Sequence, residues 1–214
     1  MKPFILVLSS PSGGGKTTIA RALLSARENL GFSTSATTRE PRPGEKDGVD
    51  YHFMDVDEFV KRRERGEFLE WAEYSGNLYG TLEAEVDRVL GEGSHAVLDI
   101  EIEGAKQVRE RRSDVVSIFV LPPSADKLVE RLVGRDKGTA DAKVLARIKR
   151  AQEEVREAAE YDYVVVNDER TQAVSEVAAI IDSESRRPSR VVDLDDSLAE
   201  LERGLGAIIE RMEQ

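Results

Sequence analysis

The chain has 214 residues and a formal net charge of −11, long enough for one substantial core and too acidic, with no basic stripe interleaved with aromatics, for a nucleic-acid surface. It contains no cysteine, which excludes disulfides and thiolate metal sites, and its two histidines, His52 and His95, read as structural residues rather than metal ligands. No run approaches the ~20 apolar residues that span a bilayer, and the N-terminal run lacks a signal-peptide layout, so the expectation is a soluble cytoplasmic protein with no membrane partner.

Residues 4–18, FILVLSSPSGGGKTT, place an unbroken apolar run before a glycine-rich loop and an amphipathic helix. The run suits a strand buried on both faces of a parallel sheet, and Ile19, Leu23 and Leu24 follow at helical spacing. Backbone N–H groups of Gly13, Gly14 and Gly15 can converge on a polyphosphate because no Cβ obstructs them, and Lys16 sets a point charge near the β and γ phosphates. Thr17 falls at the positive end of the helix with its hydroxyl available to Mg²⁺. The general pattern has glycine where Ser10 stands, and serine fits there if its φ stays negative. The plainer alternative is an ordinary glycine turn between strand and helix.

Residues 33–81 differ in character and read as an insertion. Short alternating runs, FSTSATTR, VDYHFM and FLEWAEYS, suggest a small sheet, interrupted by one helix signalled by Asp55 with Glu58 and closed at Gly66. Arg39 and Arg42 flank Pro41 on a stiff loop, a spacing suited to a phosphomonoester, with Tyr51 and Tyr79 able to add phenolic hydroxyls. As an isolated pair the arginines read equally well as solvated charges. Guanine presents two adjacent N–H donors beside a carbonyl, so a carboxylate and a hydroxyl donor read it, and Glu70 with Ser35 or Thr81 supplies both. Taken alone, Glu70 is an ordinary exposed strand position.

Further apolar runs at 96–100, 116–121 and 163–166 alternate with helical patterns at 101–112, 126–133 and 142–159. That alternation predicts an α/β fold, a parallel sheet with helices on both faces and ligands beyond the carboxyl ends of its strands, which sets Asp99 on the same edge as the glycine loop. Residues 134–139, GRDKGT, suit a mobile flap. Beyond residue 186 the composition shifts, and Leu198, Leu201, Leu205, Ile208 and Met212 form one stripe, favouring a helix docked on the chain's own surface over a dimer contact.

The motifs SPSGGGKTT, FSTSATTREPRPGEKDGVDYHF, FLEWAEYSGNLYGT, LDIEIEGAKQV, FVLPPS and VVVND, in this order, resemble guanylate kinase, the P-loop enzyme that phosphorylates GMP with ATP. The resemblance covers residues 1 to about 185. It implies a P-loop NTPase core at 1–32, 82–133 and 148–185, an inserted small mixed α+β GMP-binding subdomain at 33–81, a mobile lid at 134–147 and a C-terminal helical extension at 186–214. ATP contacts are implied at Pro11, Ser12, Gly13, Gly14, Gly15, Lys16, Thr17, Thr18, Arg131, Arg135 and Asn167. GMP contacts are implied at Ser35, Arg39, Arg42, Tyr51, Glu70, Tyr79, Thr81, Asp99 and Glu101. Catalysis is assigned to Lys16, Arg39, Arg135 and Arg147, with Mg²⁺ at Thr17 and, through water, at Asp99. The family usually has serine at Thr81 and aspartate at Glu101, and both substitutions keep the functional group. The implied reaction is in-line phosphoryl transfer from ATP to GMP, with dGMP as a second acceptor. Two other readings stand beside it: a non-catalytic interaction module of the same fold, and a P-loop kinase for another monophosphate.

Overall fold

The computed structural model describes residues 1–74, 76–135 and 141–213, with the backbone alone of Arg135, Asp141 and Lys143. Strand β1 (Ile5–Ser9) is fully buried, as its unbroken apolar run requires. It lies at the centre of a five-stranded parallel sheet, order β2-β7-β1-β8-β9, with β2 (Leu30–Phe32), β7 (His95–Asp99), β8 (Val115–Leu121) and β9 (Tyr163–Val166). Side chains alternate across it. Phe4, Leu6 and Leu8 pack with Ile19 and Leu23 of α1 (Lys16–Ala26) and with Val177 and Ile181 of α7 (Arg170–Ser185). Ile5 and Val7 pack on the other face with Val86 of α3 (Glu83–Gly91) and Val108 of α4 (Ile102–Arg111). Each such side chain, fully buried, contributes roughly 1.5–3 kcal/mol.

A second, mixed sheet, order β4-β3-β6-β5, is built from β3 (Ser35–Thr37), β4 (His52–Phe53), β5 (Phe68–Tyr74) and β6 (Asn77–Leu82). Helix α2 (Val56–Glu64) covers it through buried Phe59, stacked on Phe68 at 4.3 Å. Asp55 caps this helix by accepting from the Glu58 N–H, and Gly66 ends it at φ 72°. Helices α5 (Ala125–Arg135) and α6 (Asp141–Glu154) follow β8, then a short 3₁₀ turn, Val155–Glu160, leads into β9. The expected helix at 142–159 is thus shorter by this last turn.

β2 carries no apolar run of its own; pairing with β7 makes it a strand, and Gly31 is required because a Cβ there would meet Val89 at 2.5 Å. Both histidines have structural surroundings. His95 opens β7, where Nδ1 accepts from the Phe4 N–H and burial depresses its pKa to about 4. His52 lies 3.7 Å from Glu85.

The C-terminal helix departs from expectation. α8 (Leu194–Met212) has no buried residue, and Leu201 and Met212 are 62% and 82% exposed, so it is not docked on this chain. The cause lies just before it. Arg190 is anchored over the Phe4 ring at 4.2 Å, and Asp193, at φ 56° in the left-handed region, turns the chain away from the core. No helix among the described residues is long and apolar enough to cross a membrane.

Candidate functional site

The loop between β1 and α1 takes the shape its glycines permit. Gly13 and Gly15 have φ of 88° and 98°, and the Gly14 N–H bonds the Pro11 carbonyl at 2.8 Å. Ser10 keeps a negative φ and donates its hydroxyl to the Pro11 carbonyl, so the cradle accommodates serine. The outer wall is tied down by Asn167 at the end of β9, whose side-chain amide donates to the Gly14 carbonyl at 2.9 Å, and by Arg131 of α5, which reaches the same carbonyl and that of Asn167. A Cβ on Gly15 would meet the Asn167 amide at 2.3 Å. Gly13, Gly15, Arg131 and Asn167, with Thr17 and Thr18, line a cavity of about 510 Å³ at the helix N-terminus.

Lys16 points from this loop to the carboxyl end of β7. Its ammonium donates to Glu101 at 2.8 Å and lies 3.7 Å from Asp99. Burial alone would depress its pKa, but the two carboxylates outweigh burial and hold it above the ordinary value. Asp99 Oδ1 is buried and accepts no hydrogen bond. An unsatisfied carboxylate oxygen facing a phosphate loop, with the exposed Thr17 one residue after the lysine, is a donor set of hard oxygens that fits Mg²⁺, which takes one or two protein ligands beside phosphate and water.

A second cavity, of about 340 Å³, opens between the two sheets and shares Gly13, Lys16 and Thr17 with the first. Ser35, Thr81 and Glu70 stand side by side on β3, β6 and β5, because the pairing sets Thr81 opposite both others. A register shift between Phe68 and Glu70 sends Phe68 into the small-sheet core, Leu69 against the core under α4, and Glu70 into the cavity. Glu70 is 5% exposed rather than a surface position. Burial pushes its pKa up to about 7, against the opposing hydrogen bond from the Thr81 hydroxyl.

Tyr51 and Tyr79 line the same cavity with ring centroids 6.1 Å apart, and burial raises the Tyr51 phenol. Arg39 stacks on Tyr51 at 5.3 Å and forks onto the Glu45 carboxylate, with two bonds of 2.9 Å. The Arg42 N–H donates to the same carboxylate, while its side chain is exposed. The loop therefore presents Arg39 as a formed guanidinium fork, already satisfied by a carboxylate, and Arg42 as its solvated neighbour.

From α6, Arg147 reaches into the donor loop and bonds the Ser12 hydroxyl at 2.9 Å. The side chain of Arg135, and residues 136–140 of the expected flap, lie outside the described residues. Two residues were not anticipated. Glu154 accepts from the Ser12 N–H at 2.9 Å, and Arg150 faces Glu101 at 3.6 Å while lying over the Tyr74 ring. Their spacing from Arg147 along one helix was the available signal, hidden by the density of charge in that segment.

Comparison with known proteins places this geometry. The family model described as guanylate kinase matches residues 1–184. The guanylate kinase of Symbiobacterium thermophilum is 47% identical over 189 residues, 88% of this chain and 89% of its own length. That of Paramagnetospirillum magneticum is 45% identical over 201 residues, 94% of each. Among solved structures, guanylate kinase from Anaplasma phagocytophilum superposes with a TM-score of 0.75 at 36% identity, covering 92% of this chain and 94% of that one.

Proposed function

The chain belongs to the guanylate kinase family and is a nucleoside monophosphate kinase, and from that premise we propose that it transfers the γ-phosphoryl group of ATP directly, in line, to the phosphate of GMP, and also of dGMP, giving ADP and GDP or dGDP. The observation that carries the acceptor half is Glu70, buried beside the hydroxyls of Ser35 and Thr81 in a cavity that also contains Lys16. A carboxylate held there accepts the ring N–H and exocyclic amine of guanine, and would repel the ring nitrogen that adenine presents in the same place.

In this reading residues 1–32, 82–133 and 148–185 form the donor core, residues 33–81 hold the acceptor and residues 134–147 close as a lid. The glycine loop cradles the polyphosphate with its N–H groups, and Lys16 exchanges Glu101 for the β and γ oxygens. Arg39 exchanges Glu45 for the acceptor phosphate, aided by Tyr51, Tyr79 and Arg42. Arg147, joined by Arg135, stabilises charge on the transferring group. No general base is needed, because the acceptor is already an anionic phosphate. Thr17, and Asp99 through water, would hold Mg²⁺, which would supply neutralisation of the β- and γ-phosphate charge. Lid closure excludes water that would otherwise hydrolyse ATP.

The intact loop, with Lys16 hydrogen-bonded in place, favours this enzyme over a non-catalytic module of the same fold. ATP and GMP are the proposed partners, with neither nucleic acid nor membrane, and the cytoplasm is the proposed setting. Turnover compared across GMP, dGMP, AMP and UMP tests the assignment.

A further inference from the structure

Arg147 and Arg150 lie one turn apart on α6 and so share a face, yet they reach different halves of the site. Arg147 bonds Ser12 in the donor loop. Arg150 lies 3.6 Å from the Glu101 carboxylate, its guanidinium sits 4.9 Å over the Tyr74 ring of β5, and it is oriented by Glu154, which also accepts from the Ser12 N–H. One side chain thus touches the strand that carries Glu70, the end of β7 and, through Glu154, the donor loop.

Glu101 is divided between two cations, with Oε1 on Lys16 and Oε2 towards Arg150. Once polyphosphate draws the lysine away, Arg150 is the cation that remains against this carboxylate. We propose that Arg150 is a positioning residue that fixes Glu101 for recognition of the acceptor base's exocyclic amine and, through Tyr74, ties helix α6, which also carries Arg147, to the acceptor strand. Acceptor occupancy then sets where Arg147 stands, because both arginines ride on one rigid helix. The inference rests on GMP being the acceptor.

Steady-state kinetics of Arg150→Gln and Arg150→Lys in the full chain test it, with GMP and IMP, which lacks the exocyclic amine, as acceptors. Arg150→Gln is expected to raise the GMP KM about tenfold, narrow the GMP-over-IMP preference, and leave the ATP KM and the melting temperature unchanged. Arg150→Lys, which keeps the charge, restores part of the GMP KM. Equal loss toward GMP and IMP, or a GMP KM unchanged in Arg150→Gln, overturns the inference. A parent enzyme that fails to use GMP overturns instead the functional reading beneath it.

Discussion

The Thr81 hydroxyl donates a hydrogen bond of 2.7 Å to Oε1 of Glu70, across the β5–β6 pair, at a carboxylate that burial has pushed up to a pKa of about 7. Reading guanine requires that carboxylate ionised, since only then can it accept two N–H donors. As pH falls through about 7 the proton returns and the acceptor is lost. The KM for GMP is therefore expected to rise by up to about tenfold per pH unit below 7, while the KM for ATP stays level. Glu70→Gln removes this slope, which separates it from titration of the substrate phosphate.

The same group makes a stability prediction of opposite sense. The folded pKa of Glu70 lies above its ordinary value of 4.5, so between these values the folded state holds a proton that the unfolded chain has lost. Stability then falls as pH rises through this window, and the full cost, about 3 kcal/mol, is present above it. Glu70→Gln should melt higher than the parent at pH 8, with an advantage that shrinks below pH 7, while its KM for GMP rises by at least about a hundredfold. Thermal melts across pH and kinetics on both proteins check the pair of outcomes.

Gly104 of α4 makes room for that carboxylate. A Cβ there would stand 2.3 Å from Glu70 Oε2. Gly→Ala inside an unobstructed helix stabilises by about 1 kcal/mol. Gly104→Ala should instead lose that gain and displace Glu70, raising the KM for GMP about tenfold or more with the KM for ATP unchanged. Melting temperature and the two KM values decide it.

Lys16→Met removes the cation between the donor loop and the two carboxylates at the end of β7. The expected outcome is a loss of kcat of about two orders of magnitude or more, because the charge developing on the transferring group loses its partner. GMP binding, measured by titration without ATP, should survive.

Much of this arrangement was legible in the residues. β1 announced itself by an unbroken apolar run, α2 by Asp55, Glu58 and Gly66, and the cluster of Ser35, Thr81 and Glu70 by the chemistry that guanine demands. What stayed hidden depends on distant partners. β2 is a strand only through β7, and the burial of Glu70 follows from a bulge and from Gly104, neither of which its neighbours in sequence reveal. α7 was missed although Ala173, Val177 and Ile181 lie at steps of four, the signal that could have found it. α8 showed its stripe plainly, but the left-handed turn at Asp193 that carries it off the surface is set by backbone conformation, not by apolar spacing.

The central claim is that the two cavities sharing Lys16 and Thr17 hold ATP and a guanine monophosphate. Coupled measurement of ADP release, with ATP and each of GMP, dGMP, AMP and UMP in turn, tests it most directly. The account predicts release with GMP and dGMP and almost none with AMP, UMP or ATP alone. Preference for AMP, or no release with any acceptor, would contradict it.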